Sequence, residues 1–500
     1  MPDAPNILLV LTDQQRHDWV GSDPDIPVRT PNLDALGERG VRFTNALCPA
    51  PLCAPSRSCL ASGLAYDRCG AWTNQDYPGD RPTLYERLRD DAGYETIGVG
   101  DIDLHMDSAT WGLDGKYALN SMGFTDGIEI PGKRAMVGTY RNALGETGHV
   151  DVGGDSDLPP DVDPGEDEPA NAYMAHLRER GLLSAYVEDM EDRLYGDRPV
   201  SNFATTRPAP LPADAYVDNW VGRHALAFLE NAPEDRPWHL AVNFVGPHEP
   251  MDVTEEMHGW YRDPDVEFPG PIRPPEGADC GDLDAETHQE IRRNYAAMCE
   301  NVDRWLGRYL DVLEERGERE ETLVVFASDH GELLGDYGGW AKSSPRQASV
   351  GVPLTIAGPD VEPRGRIDEP ASVLDLHATF LEYAGVDPGD VDSQSLRPYL
   401  EGRAESHREV VRSGLDPWRL AFDGRYKLIV GYDDDHDPLT GEVTGAFDPG
   451  DDRARARAQV HETTDPILFD LVEDPAESED VAGEHPDVVD RLRAHLAVEG

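Results

Sequence analysis

Four largely apolar runs, each the length of a strand and each ending in polar residues, constrain the fold of this chain more than any other feature. They are Asn6 to Thr12, Tyr94 to Gly100, Trp238 to Gly246 and Thr322 to Ser328. A strand with one wet face alternates apolar and polar residues, so runs without alternation imply strands covered on both faces, as in a parallel sheet. Helical patterns lie between them: Thr30 to Leu36, Thr83 to Ala92 closed by Gly93, Ala215 to Leu229, Gln289 to Arg316 and Val373 to Tyr383. Shorter strands are expected at Val41 to Ala46 and Gly351 to Ala357. Together these predict an α/β fold, a mostly parallel sheet flanked by helices. Open α/β sheets bind ligands at the carboxyl ends of their strands. The residues that follow the four runs are therefore the first functional candidates: Asp13 and Gln14, Asp101 and His105, His248, and Asp329 with His330.

The texture changes past Gly385. A polar link is followed by strand-like segments at 408–414, 418–423 and 425–431, which suggest a small antiparallel sheet. The 500 residues thus divide into a large α/β domain over 1–385 and a smaller C-terminal α+β domain over 386–500. Acidic stretches near 145–170 and 432–465 read as solvated insertions. Within the second, Asp433 to Asp437 resembles the start of a calcium loop but lacks the glycine and glutamate that such a loop needs, so it reads as a charge run.

The chain carries 98 Asp and Glu against 44 Lys and Arg, a formal charge of −54. Only four lysines occur: Lys116, Lys133, Lys342 and Lys427. An acidic, lysine-poor surface suits concentrated salt, where screening relieves self-repulsion, so a halophilic source is expected. The same field repels phosphates, which argues against nucleic acid and anionic membranes as partners. The N-terminus has no basic stretch before its short apolar run and no cleavage-site pattern, and no window approaches a membrane span. A cytoplasmic location is the expectation. Six cysteines without a repeated Cys-x-x-Cys pairing make a zinc cluster improbable.

One of them, Cys53, opens the stretch Cys53-Ala54-Pro55-Ser56-Arg57, which continues through Leu60 to Gly63. Proline favours a first helical turn and glycine the position past the last, so Pro55 and Gly63 bracket a short helix whose positive end faces Cys53. Arg57, four residues on, shares a helix edge with it. This stretch resembles the modification signature of the formylglycine-dependent sulfatases of the alkaline-phosphatase superfamily. The resemblance extends from the Asn6 strand to Ile467-Leu468-Phe469-Asp470, outside the two acidic insertions, and includes Thr30-Pro31-Asn32-Leu33-Asp34.

The resemblance implies an alkaline-phosphatase-like fold and hydrolysis of sulfate esters. In it Cys53, converted to formylglycine by a formylglycine-generating enzyme, attacks sulfur as the aldehyde hydrate. It implies Asp13, Gln14, Asp329 and His330 as metal ligands together with the modified Cys53, with Arg57 bracing the formylglycine. His248 and Lys342 would contact the sulfate or its leaving group, and His105 is a further catalytic candidate. The ion would be divalent, Ca2+ first on ligand hardness, with Mn2+ or Mg2+ open. The substrate would be a small-molecule or carbohydrate sulfate ester. One position departs: the family's Gly-Lys, whose lysine touches sulfate, is here Gly100-Asp101. Two alternatives stay open, a phosphonate-monoester or phosphodiester hydrolase using the same site, and a noncatalytic anion-binding homologue with unmodified Cys53. The sequence leaves the oligomeric state undetermined.

The charge pattern yields a first test. Thermal unfolding measured against KCl should show stability rising from low to molar salt; higher stability in low salt would sink the halophile reading.

Overall fold

A computed structural model describes residues 4–106, 111–136, 169, 171–273, 283–416, 418–431 and 465–496. The two acidic insertions, apart from residues 169 and 465, lie outside the described residues, as does Cys280.

The four apolar runs form four adjacent strands. In chain order the large sheet comprises β1 (Asn6–Asp13), β2 (Val41–Leu47), β3 (Glu95–Gly100), β4 (Asp126–Glu129), β5 (Trp238–Pro247), β6 (Thr322–Ser328), β7 (Leu354–Ala357) and β8 (Gly365–Ser372). Its spatial order is β4-β3-β5-β1-β6-β7-β2-β8, and β7 alone runs against the rest. Alternation survives inside the apolar runs as a choice between two faces. Leu8, Val10, Leu240, Val242, Val324 and Phe326 enter one buried cluster, while Ile7, Leu9, Leu11, Ala241, Leu323, Val325 and Ala327 enter the other. Each face is covered by helices, so both parities had to be apolar.

The first face is covered chiefly by the 31-residue helix Ala285–Glu315 and by Val217–Glu230, which pack on β5 and on each other. Six of the seven residues in the expected stripe of the long helix, Ile291, Tyr295, Met298, Val302, Leu306 and Leu313, are buried, and Leu310 is partly buried against them. The helix begins four residues before Gln289, because Asp284 caps it by accepting a 2.8 Å bond from the Thr287 amide. Apolar periodicity does not register that polar first turn. The helix Leu84–Ala92 has the expected ends, a Thr83–Glu86 capping box and a left-handed Gly93. β4 and β8 were not expected, since β4 is short and interrupted by Gly127 and β8 carries four charged or proline positions along its length.

The second sheet is antiparallel, in the order β12-β11-β10-β9, built from β9 (Val411–Leu415), β10 (Trp418–Phe422), β11 (Tyr426–Val430) and β12 (Ile467–Asp470). The helix Pro486–Ala494 packs Val489 and Leu492 onto it. This sheet braces the segment that follows Lys342. Trp418 Nε1 donates to the Ser343 carbonyl at 3.3 Å, Lys427 Nζ to Pro345 at 2.8 Å, and Arg346 Nη1 to Glu477 at 2.6 Å.

Asp375 joins β8 to the link between the sheets. Fully buried, it accepts bonds from the Ser372 amide (3.1 Å), the Gln394 amide (2.9 Å), His407 Nε2 (2.9 Å) and Arg408 Nε (2.8 Å). Burial alone would raise its pKa, but Arg408 and His407 overcome burial and hold it well below the usual carboxylate range. Asp375→Asn should lower unfolding free energy by about 3–5 kcal/mol, the cost of breaking a buried ion pair. A depressed folded pKa contributes stability that is complete above the unfolded value near 3.9 and is lost as pH falls through the folded value. Urea melts of the wild type should therefore lose this contribution in that acid window, and those of the variant should not.

Candidate active site

The carboxyl ends of the four central strands meet at one guanidinium. Arg57 Nε and Nη2 each lie 3.0 Å from Asp329 Oδ2, just past β6, and Nη2 lies 3.4 Å from Asp13 Oδ2, the last residue of β1. Nη1 donates to the carbonyl of Asp101, just past β3, and at 3.3 Å to Asn243 Oδ1 on β5. Arg57 sits in the helix Cys53–Ser62, which begins at Cys53 itself, two residues before Pro55, and ends at a left-handed Gly63. Ser56 Oγ fixes the helix to β6 by a 2.7 Å bond to the Asp329 carbonyl, and the Ala54 amide bonds Asn74 Oδ1 at 3.3 Å. Gly100 permits the close approach of β3 to β5: it has φ +101°, and a Cβ there would lie 1.9 Å from the Asn243 carbonyl.

Cys53 points into this junction. Its Sγ is 3.3 Å from His330 Nε2 and 3.9 Å from Asp13 Oδ1. Asp13, Cys53, Asp329 and His330 are all buried, and one ligand atom from each falls within 4.8 Å of the others. His330 Nδ1, 3.0 Å from the Gly331 carbonyl, is the donor there, which assigns Nε2 the lone pair that faces the cluster. Burial drives His330 down to about 4, so the imidazole is neutral as a ligand must be. Burial and the neighbouring Asp329 push Asp13 up; burial opposes ionisation of Asp329 as well, but His330 and Arg57 hold it down. Burial and Asp13 push the Cys53 thiol well above its ordinary value. Two carboxylates and an imidazole within reach of one point fit a divalent cation, whereas a protonated thiol is the poorest donor of the set.

Gln14 stands at φ +71°, a left-handed conformation uncommon for a residue with a side chain. Its amide donates to Asp329 Oδ1 at 3.0 Å. Its side chain donates to Glu249 at 2.8 Å and to Glu332, and its Oε1 accepts from Lys342 Nζ at 2.5 Å. Lys342 also lies 2.6 Å from His248 Nε2, while His248 Nδ1 lies 2.6 Å from the Glu249 carbonyl. Burial, with Lys342 beside it, holds His248 well below its usual value. The imidazole is neutral, so Nδ1 donates to the carbonyl and Nε2 accepts from the lysine.

Of the residues singled out from sequence, Asp13, Gln14, Cys53, Arg57, His248, Asp329, His330 and Lys342 thus form one connected cluster. The ring of His105 packs edge-on against Trp111, and its Nδ1 lies 3.7 Å from Asp76. Asp101 is 1% exposed, and neither carboxylate oxygen receives a hydrogen bond among the described residues. Burial and Asp103 push its pKa well up. Several contributors escaped the sequence reading. Glu332 and Glu249 hold Gln14; burial, with Glu249 nearby, pushes Glu332 up to about 8. Lys133, 1% exposed, donates to the His248 carbonyl at 2.9 Å and to Asp252 at 2.7 Å, which anchors the histidine's loop. Its signal was lysine scarcity: of the four lysines, Lys133 and Lys427 are fully enclosed and Lys342 half-buried, which leaves Lys116 as the exposed one.

A family model described as Sulfatase matches residues 5–386. The chain is 24% identical over 428 residues to an arylsulfatase of Clostridium perfringens, covering 81% of this chain and 80% of that protein. It is 25% identical over 527 residues to the multifunctional alkaline phosphatase superfamily protein PehA of Trinickia caryophylli, covering 96% and 91%. In fold it is similar to the phosphonate monoester hydrolase of Agrobacterium radiobacter, with TM-score 0.71, 21% identity and coverage of 98% and 94%. The match spans most of the chain, includes every residue of the junction around Cys53 and Arg57, and accords with the mixed, mostly parallel sheet, so this chain belongs to the sulfatase family.

Proposed function

We propose that this protein hydrolyses sulfate esters of small molecules or carbohydrates, with residue 53 as the nucleophile after oxidation of its thiol to formylglycine. The observation that carries the reading is the placement of Cys53 at the first position of a buried helix, within ligand distance of Asp13, Asp329 and His330. Conversion requires a formylglycine-generating enzyme as partner, and the hydrated aldehyde supplies a hydroxyl in place of a thiol that this site keeps protonated. A divalent cation held by Asp13, Asp329 and His330, with Gln14 alongside, would polarise a sulfuryl oxygen and favour ionisation of that hydroxyl. Ca2+ is the first choice for such hard donors, with Mn2+ and Mg2+ as alternatives.

The remaining steps belong to the chain's own side chains. Arg57 neutralises Asp13 and Asp329 and keeps both fixed while charge moves at position 53. Lys342 offers an ammonium to a sulfuryl oxygen. The Lys342–His248 pair carries its proton on the lysine, where Cys53, Asp13 and Glu249 hold it against burial, and an acceptor at Nε2, so it can pass a proton to a strongly basic departing alkoxide.

Phosphonate-monoester hydrolysis is the second reading, favoured by the whole-length similarity to PehA and by the fold shared with the Agrobacterium enzyme. An acidic exterior and the burial of Lys133 and Lys427, two of the four lysines, support a salt-adapted setting.

Mass spectrometry of the 43–57 peptide from the native host should show formylglycine at 53; thiol alone, in active protein, refutes the nucleophile assignment. Purified enzyme should turn over an aryl sulfate, and exclusive cleavage of an aryl phosphonate monoester would replace the main reading with the second. Cys53→Ala should lower kcat at least about a thousandfold. His248→Asn should lower it about 10²- to 10⁴-fold, with the smallest loss for esters whose alcohol leaves without a proton.

A further inference from the structure

A second group of buried carboxylates adjoins the Cys53 cluster and has no part in the reaction as described. One oxygen each from Asp13, Asp101 and Asp103 falls within 4.8 Å of the others, all three residues being buried. Asp101 and Asp103 follow β3 two residues apart, and Asp103 is held at φ +53°. Neither oxygen of Asp101 meets a donor among the described residues, although the side chain is almost wholly enclosed. Glu129, whose backbone pairs with Gly100 across β3 and β4, is also 1% exposed. Gly132 leaves room for the Asp101 carboxylate; a Cβ there would come within 2.7 Å of its Oδ2.

Carboxylates taken out of water without donors are costly unless a cation compensates them. Arg57 is the side-chain cation that reaches this group, and its nitrogens are already engaged by Asp329, Asp13, Asn243 and the Asp101 carbonyl. Its nearest approach to Asp103 is 3.9 Å.

We propose that Asp13, Asp101 and Asp103 bind a second divalent cation, with Asp13 as the carboxylate shared between two ions. The donors are all oxygen, which suits Mg2+, Mn2+ or Ca2+ over softer metals. The second ion also accounts for the departure at position 101. A carboxylate there repels an anionic ester, whereas the cation it holds supplies the positive charge that the resemblance assigns to a lysine.

The inference rests on the first metal centre only through Asp13, and stoichiometry separates the two. Full-length protein, stripped with chelator and dialysed against Mn2+ in molar KCl to screen the acidic surface, should bind two equivalents. Asp101→Asn should bind one, and His330→Ala should bind one. A wild type that binds a single equivalent, unchanged by Asp101→Asn, overturns the second site and leaves the first intact. A single equivalent lost with Asp101→Asn and retained in His330→Ala overturns the first centre instead. Thermal unfolding supplies a measurement independent of folding yield. Metal-free Asp101→Asn should melt no lower than metal-free wild type, because it removes a buried carboxyl group whose oxygens have no donor among the described residues, and Mn2+ should raise its Tm less. Equal Mn2+ shifts in the two proteins overturn the proposal.

Discussion

The guanidinium of Arg57 is the contact on which the arrangement of this site depends. Strand ends in a parallel sheet are held in place by the ladder only up to their last paired residue, beyond which each chain is free to diverge. Here one rigid, always charged group ties all four central strands together near those ends, through Asp13, Asp329, Asn243 and the Asp101 carbonyl. It also carries Cys53 with it, because both lie on one helix. Lysine could neutralise one carboxylate but has no planar fork with which to span four segments. Removal of Arg57 would leave Asp13 and Asp329 repelling one another in a low-dielectric interior, and repulsion would separate the ligands that a cation needs close together.

The far side of the site depends on a different support. Lys342 lies in a loop between β6 and β7, and loops have little intrinsic rigidity. The small antiparallel sheet and the segment after β12 supply it: Trp418, Lys427 and Glu477 bond to residues 343–347 directly after the lysine. Lys133 does the same for the loop of His248. In a chain with so few lysines, those retained inside hold catalytic loops in register, where a compact ammonium can donate to several carbonyl and carboxylate oxygens at once. The C-terminal sheet thus contributes to the geometry of a site to which it supplies no member of the cluster.

Electrostatically the interior and the surface serve opposed ends. The surface charge favours solubility in salt and opposes the approach of anions. At the junction of the strands, Arg57 and Lys342 set positive charge against Asp13 and Asp329. The neutral state of His248, imposed by burial and Lys342, leaves the proton between them on the lysine.

The sequence by itself determined the four central strands, the polar residues at their ends, the Cys53 helix and the family. Continuous apolar runs admit few alternatives to a doubly covered sheet, and a motif of contiguous residues is legible without coordinates. Tertiary structure decided what depends on distance between segments remote in the chain. It placed His105 beside Asp76 and Trp111. It made buried anchors of Lys133 and Lys427, whose sequence surroundings give no sign of burial. It found partners for Gln14 in Glu249 and Glu332, and it brought Asp101 and Asp103 against Asp13 with no donor for Asp101. Local pattern records which face of a strand or helix a residue occupies, whereas compensation of a buried charge depends on groups hundreds of residues away, and only the packed chain supplies them.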